Sequence, residues 1–277
     1  MTHSNDTTVV IGATGKTGRR VTERLRRRGV PTRGASRSSA PPFDWTDDST
    51  WAPALQGASA AYITYFPDIA VPGAPEVIAA LAEVALAGGT RRLVLLSGRG
   101  ESEAQRAEQL LQASGADWTV LRASWFMQNF SESIFLEPLL DGELALPAGT
   151  TGEPFVDADD IADVAVAALT EPGHVGATYE LTGPRLLTFE QAVDEIVNAT
   201  GRALRYVPIT PAEHAAAMET AGVPDDVAAL VSYLFGEVLD GRNAVVADGV
   251  PRALGRAPRD FTDFARDAAA TGVWSPR

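Results

Sequence analysis

The sequence contains no cysteine. Disulfides, thiolate nucleophiles and zinc–thiolate centres are therefore excluded. Its three histidines, His3, His174 and His214, lie far apart and show no metal-ligand spacing, so no metal site is expected. No apolar run approaches the roughly 20 residues that a membrane-spanning helix needs. The opening segment, MTHSNDTT, has neither the basic nor the apolar region of a secretory leader. The expectation is a cytoplasmic protein with no membrane partner. Positive charge is also scarce: 23 Lys and Arg stand against 36 Asp and Glu, for a net charge of −13. Nucleic-acid binding needs a cationic face to neutralise phosphates, so no nucleic-acid partner is expected. The run RRVTERLRRRG (Arg19 to Gly29) is the exception. On a helix its arginines would line an outer face, and a solvated face is the ordinary outcome for such a run. Among all the basic side chains, only Lys16 is a lysine.

What the chain does have is alternation. TTVVIG, VPTRGAS, SAAYITY (Ser59 to Tyr65), RRLVLLSG (Arg91 to Gly98) and DWTVLRAS (Asp117 to Ser124) are short apolar runs that predict strands. Helical stretches separate them, among them PEVIAALAEVALAGG and EAQRAEQLLQASG. Strands apolar on both faces and alternating with helices predict a parallel sheet covered on both sides, a Rossmann-like doubly wound α/β fold. The second half is less regular. WFMQNFSESIFLEPLL predicts one helix, DGELALPAG a hairpin or exposed strand, DADDIADVAVAALTEP a helix with an acidic start, and ATYELTG a strand. TFEQAVDEIVNATG carries Thr188 as N-cap with Gln191 three residues on, the spacing of a capping box. RYVPIT predicts a strand, and Pro211 suits the first position of the helix after it. Two more helical stretches close the chain. These C-terminal elements are expected to form a smaller α/β lobe over the carboxyl edge of the sheet.

Gly12, Gly15 and Gly18 form G-x-x-G-x-x-G between the first strand and the first helix. One glycine allows a tight turn, one lets backbone approach a pyrophosphate, and one lets the helix pack closely. The helix N-terminus then offers N–H groups and partial positive charge to phosphate. The pattern is not a P-loop: Lys16 is followed by Thr17, but no glycine stands at the spacing a Walker loop requires before it. Past the second strand the chain reads RGASRSS, with no acid to hold a ribose 2′-hydroxyl. Arg33 and Arg37 stand there with Ser36 and Ser38, and guanidinium suits a 2′-phosphate. NADP(H) is therefore the expected cofactor, with NAD(H) kept as the alternative and a plain surface arginine as the other reading. The expected organisation is an NAD(P)-binding domain over residues 1–150, with 155–183 returning to it, and a smaller substrate-binding lobe over 184–277.

Short-chain reductases of the usual kind use a Tyr as proton donor and a Lys four residues later. None of the five tyrosines here has a lysine at that spacing, and the segment where the pair would sit reads GRGESEAQRAEQLL. Sugar epimerisation and ordinary ketone reduction are accordingly not expected, and no catalytic residue is identified.

Together, the glycine turn, LVLLSGRGE, ADWTVLRASWFMQNF, PFVDADDIADVAVAAL and YELTGPRLLTFEQAVDEI resemble the NmrA-like group of atypical short-chain dehydrogenase/reductases, over nearly the whole chain. The group includes quinone reductases, ergot-alkaloid-type reductases and isoflavone-reductase-like enzymes, together with proteins that only sense the cofactor. GATGKTGRR and FDWTD look nearest to the bacterial branch beside the ergot-alkaloid reductases. The isoflavone-reductase-like lysine has no counterpart in this sequence. The resemblance implies that Gly12, Thr14, Gly15, Lys16, Thr17 and Gly18 hold the pyrophosphate. It implies that Ser36 and Arg37 meet the adenosine ribose or its phosphate, and that Thr64, Tyr65, Phe66, Ser97 and Gly98 flank the nicotinamide half. Trp125, Phe126 and Asn129 would line the substrate pocket, core packing being the alternative for the aromatics. Asp157 and Asp160 are expected to be a loop-and-cap device. The expected function is NADP(H)-dependent hydride transfer to a conjugated small-molecule acceptor such as a quinone or iminium. The alternative is a non-catalytic NADP(H) sensor that binds a partner protein. A homodimer is left open.

Overall fold

The computed structural model describes residues 7–275; His3 and most of the MTHSNDTT segment lie outside the described residues. In chain order the elements are β1 (Thr7–Ile11), α1 (Lys16–Arg27), β2 (Thr32–Ala35), α2 (Trp51–Leu55), β3 (Ala58–Ile63), α3 (Ala74–Ala87), β4 (Arg92–Gly98), α4 (Ser102–Ala113) and β5 (Asp117–Ala123). There follow α5 (Asn129–Glu132), α6 (Leu136–Asp141), β6 (Glu143–Leu146), α7 (Ala158–Thr170), β7 (Ala177–Leu181), α8 (Phe189–Thr200), β8 (Arg205–Pro208), α9 (Pro211–Thr220), α10 (Asp225–Tyr233), α11 (Gly249–Leu254) and α12 (Phe261–Ala270). The chain divides into two compact units. One comprises Met1–Ala123, Ala158–Leu181 and Asp248–Arg256; the other comprises Ser124–Asp157, Thr182–Ala247 and Ala257–Arg277. The first unit thus takes up the chain again at Ala158–Leu181 and once more at Asp248–Arg256.

The first unit is a six-stranded sheet in the order β2-β1-β3-β4-β5-β7, with every pair parallel. Both faces are covered, which is why Val9, Val10 and Ile11, and likewise Leu93, Val94 and Leu95, are all buried without alternation. One face packs Val9, Ile11, Ala61, Ile63, Leu93 and Leu95 against Ile78 and Leu81 of α3 and Ala104 and Leu111 of α4. The strand order reverses at β1, with β2 on one side and β3 on the other. In such sheets the crevice at the strand carboxyl ends beside this reversal is where ligands bind.

The arginine run of α1 is not a uniformly solvated face. Arg24 pairs with Asp163 (2.7 Å) and Asp159 (2.6 Å) of α7, and Arg20 with Asp159 (3.3 Å). Asp163 and the fully buried Asp160 both pair with Arg256 (2.5 and 2.7 Å). The acidic start of α7 thus locks α1 and the Asp248–Arg256 return into one charged seam. Arg27 and Arg28 make exposed pairs, with Glu23 and Glu171.

The second unit has an aromatic core of Phe130, Phe135, Phe155, Phe189 and Phe261, closed by Trp274, whose indole N–H donates to the Phe130 carbonyl (2.8 Å). Two expectations need correction here. DGELALPAG is neither a hairpin nor an exposed strand: β6 pairs in parallel with the distant β8, and Leu144 and Leu146 are buried. WFMQNFSESIFLEPLL is not one helix but two short ones, interrupted at Ser133, whose backbone is extended. The capping box of Thr188 and Gln191 is present at α8, and Thr210 with Glu213 makes a second at α9, just ahead of Pro211.

Candidate functional site

β1 runs straight into the glycine turn. Gly12 has φ +74°, and its N–H donates to Ala35 at the end of β2 (3.0 Å). A Cβ on Gly12 would lie 2.1 Å from Thr64 Oγ1, and one on Gly18 would lie 2.1 Å from the Gly12 carbonyl oxygen. Gly15 donates to that same carbonyl (2.9 Å) and is the N-cap of α1. The turn is therefore closed on itself with no room for side chains. Thr64 Oγ1 donates to Ile11 O (3.0 Å), fastening the end of β3 to the end of β1. No side chain caps the N-terminus of α1, and its first turn holds no acid. Those N–H groups, with the first-turn Lys16, make a setting for an anion. A dinucleotide pyrophosphate suits such a setting, which no side chain caps and no first-turn acid opposes. Thr14 and Gly15 are exposed, whereas Thr17 is buried beside Tyr62.

Past β2 the two arginines part ways. Arg33 Nη1 donates to the carbonyls of Ala54 and Gln56, each at 2.9 Å, and so binds the sheet edge to the loop after α2. Arg37 is exposed, with its guanidinium 5.8 Å from the ring centre of Phe66, which is itself 65% exposed. The Ser36 carbonyl closes the turn by accepting from the Ser39 and Phe43 amides. Tyr65 packs on Trp45 (centroids 4.8 Å apart), extending the aromatic cluster of Phe43, Trp45 and Trp51.

At the end of β4, Ser97 and Gly98 have different tasks. The buried Ser97 hydroxyl donates to Glu108 Oε1 of α4 (2.5 Å), so it is committed to the interior of the unit. Glu108, 2% exposed, also pairs with Arg122, which reaches Glu180 (3.0 Å); Arg99 reaches Glu180 as well (3.2 Å). Gly98 leaves a gap that the Glu101 carboxyl fills: a Cβ there would lie 1.9 to 2.2 Å from its carbon and both oxygens. Glu101 is 9% exposed, and its Oε2 has no hydrogen-bond partner. Burial, and then the nearby Asp68 and Glu108 carboxylates, raise its pKa well above the ordinary glutamate value. Asp68 is also raised by burial, partly offset by the Ala70 N–H it accepts (2.9 Å). The sequence gives no warning of this trio, since GRGESEAQRAE looks like the start of a solvated helix. The one available signal is a glycine at the strand end with an acid three residues on.

In the second unit, Trp125 is part of the aromatic core, with ring centroids 5.0 Å from Phe235, 5.6 Å from Phe189 and 6.3 Å from Phe135. Phe126 forms an isolated parallel bridge with Val156, and Asn129 opens α5. Asp157 Oδ1 accepts from Gln128 Nε2 (2.8 Å). Among the described residues, no group of three or more His, Asp or Glu could hold a metal ion, and no helix is long and apolar enough to cross a membrane.

A family model described as NAD(P)H-binding matches residues 12–172. The NAD(P)H azoreductase of Xenophilus azovorans is 31% identical, over 95% of this chain and 98% of its own. The agroclavine dehydrogenase of Claviceps fusiformis is 31% identical, over 98% of this chain and 99% of its own. The solved structure of an NADPH-dependent quinone oxidoreductase of Escherichia coli complexed with NADPH superposes with a TM-score of 0.80 at 23% identity, over 94% of this chain and 99% of that one.

Proposed function

Because this chain belongs to the NAD(P)H-binding family, in its NmrA-like branch of atypical short-chain dehydrogenase/reductases, and is an oxidoreductase, we propose that it passes hydride from NADPH to a conjugated, electron-poor small molecule: a quinone, an azo compound or an iminium. One observation carries the acceptor class. The only lysine, Lys16, stands in the glycine turn, so no tyrosine can have the lysine partner that ordinary carbonyl reduction uses. Tyr62, on the strand beside the turn, is fully buried, and burial raises its hydroxyl pKa further from any use as an acid. Conjugated acceptors take hydride directly, and positioning then supplies most of the catalysis.

Bound NADPH would supply the hydride. The N–H groups at the start of α1, from Gly15 to Gly18, with Lys16, would hold the pyrophosphate. Ser36 and Arg37 would take the ribose 2′-phosphate, with Arg33 held away on Ala54 and Gln56. Thr64, Tyr65 and Phe66, and the Gly98 backbone, would flank the nicotinamide half. The test is a fluorescence titration with NADPH, NADH and NADP+, followed by loss of NADPH absorbance with a panel of quinones, azo dyes and cyclic iminium ions. NADPH consumption with at least one class is the expected result. Tight binding with no turnover across the panel would overturn the reading and favour a cofactor-sensing protein.

A further inference from the structure

Glu101 is the buried acid that the proposed hydride transfer leaves without a task. Three independent features of the first unit converge on it. Its carboxyl occupies the space that the missing side chain of Gly98 leaves at the carboxyl end of β4. Its Oε2 is buried without a hydrogen-bond partner. Among the described residues the charged groups that act on it are the Asp68 and Glu108 carboxylates, and the guanidinium of Arg122 is bound to Glu108 and Glu180. The carboxyl also makes no capping bond to α4, although it stands at the N-cap. A buried carboxylate with neither cation nor N–H partner is costly, whereas the neutral acid is tolerated and keeps one O–H to give.

We propose that Glu101 stands as the neutral acid beside the nicotinamide-flanking turn and donates the proton that completes reduction of a quinone or azo acceptor. The inference rests on the hydride-transfer reading above. Hydride brings two electrons and one hydrogen to the quinone or the N=N bond, leaving an oxyanion or nitrogen anion. The Glu101 O–H bond then breaks as an O–H or N–H bond forms on the acceptor, and the carboxylate regains its proton from water. An iminium becomes a neutral amine on hydride addition alone, so it makes no use of this proton. The arrangement therefore favours quinone and azo substrates over iminium ions. The charged groups facing Glu101 are Asp68 from the loop after β3 and Glu108 from α4, the latter paired with Arg122 from β5.

Infrared spectra of the cofactor-free protein test the protonation state directly. A carboxylic-acid C=O band at neutral pH that disappears in Glu101→Gln is expected; no difference between the two proteins overturns the proposal. In turnover, Glu101→Gln should lower the ratio of quinone to iminium reduction on the order of 100-fold and remove the activity loss that the wild type shows as pH rises through the Glu101 pKa. Asp68→Asn, which deletes one like charge, should move that limb to lower pH. An unchanged quinone-to-iminium ratio and pH profile in Glu101→Gln, with the wild type turning over, would defeat the proton-donor role while leaving the hydride-transfer reading intact. Failure of the wild type on every acceptor defeats both.

Discussion

Gly18 and Arg37 carry the sharpest expectations at the scale of single residues. A methyl group on Gly18 would lie 2.1 Å from the Gly12 carbonyl oxygen, which is backbone and has no way to swing aside. Gly18→Ala must displace the turn, and NADPH affinity in a fluorescence titration is expected to fall at least about tenfold, or about 1.4 kcal/mol. Arg33 and Arg37 look equivalent in RGASRSS, and the chemistry that selects phosphate applies to both. What separates them is a pair of carbonyls, Ala54 and Gln56, about 20 positions further on, which no local pattern predicts. Arg37→Ala is expected to weaken NADPH binding about tenfold and leave NADH binding nearly unchanged, because the lost partner is the 2′-phosphate. Arg33→Ala should lower the melting temperature without changing the NADPH/NADH preference. The turn glycines were legible because their spacing reflects backbone sterics. Glu101 was not, because burial is set by what Gly98 leaves empty, and residue type is silent on that.

Elements are held by charge as well as by apolar packing. The buried Asp160 faces Arg256, and Asp163 is shared between Arg256 and Arg24. Removing Arg256 takes a cation from the buried Asp160 and one of the two that Asp163 shares. Arg256→Ala is therefore expected to cost about 2–3 kcal/mol of stability, read as a lower midpoint in urea unfolding. In the second unit Arg185 binds Asp260 through two bonds (2.8 Å each) and Glu195 (2.7 Å), tying α8 to the start of α12. The Arg185 hydrogen bonds come first among the causes that lower Asp260 from its ordinary carboxylate value to about 2. A depressed folded pKa contributes stability that is complete above the unfolded value near 4 and lost as pH falls from about 4 to about 2. Since Asp260 is partly exposed to solvent, screening limits the effect to at most about 1 kcal/mol. Thermal melts of the wild type and Asp260→Asn should differ at pH 6 and converge near pH 2. The strands of the first unit were readable as elements because a strand buried on both faces is a continuous apolar run. β6 was misread because its partner, β8, lies some 60 residues away, and pairing over that distance leaves no local trace.

At the scale of the whole molecule, the chain passes between its two units five times. The alternating first half made the doubly wound sheet legible. The late return of Asp248–Arg256 was not, because a six-residue helix has too few positions to show a period. Yet α11 packs on β7 and α7, and a Cβ on Gly249 would lie 2.1 Å from the Glu180 carbonyl oxygen. A protein cut after residue 183 therefore retains all six strands of the sheet but loses the cover of β7. It is expected to melt without the single cooperative transition of the intact chain, as followed by circular dichroism. The solitary lysine has a consequence of another kind. Acylating and aldehyde reagents seek side-chain amines, and apart from the α-amino group this protein offers them one address, at the mouth of the glycine turn. A dye, surface tether or crosslinker applied to the native protein through amine chemistry would land where the cofactor is expected to bind, so standard immobilisation could silence the very activity it was meant to assay.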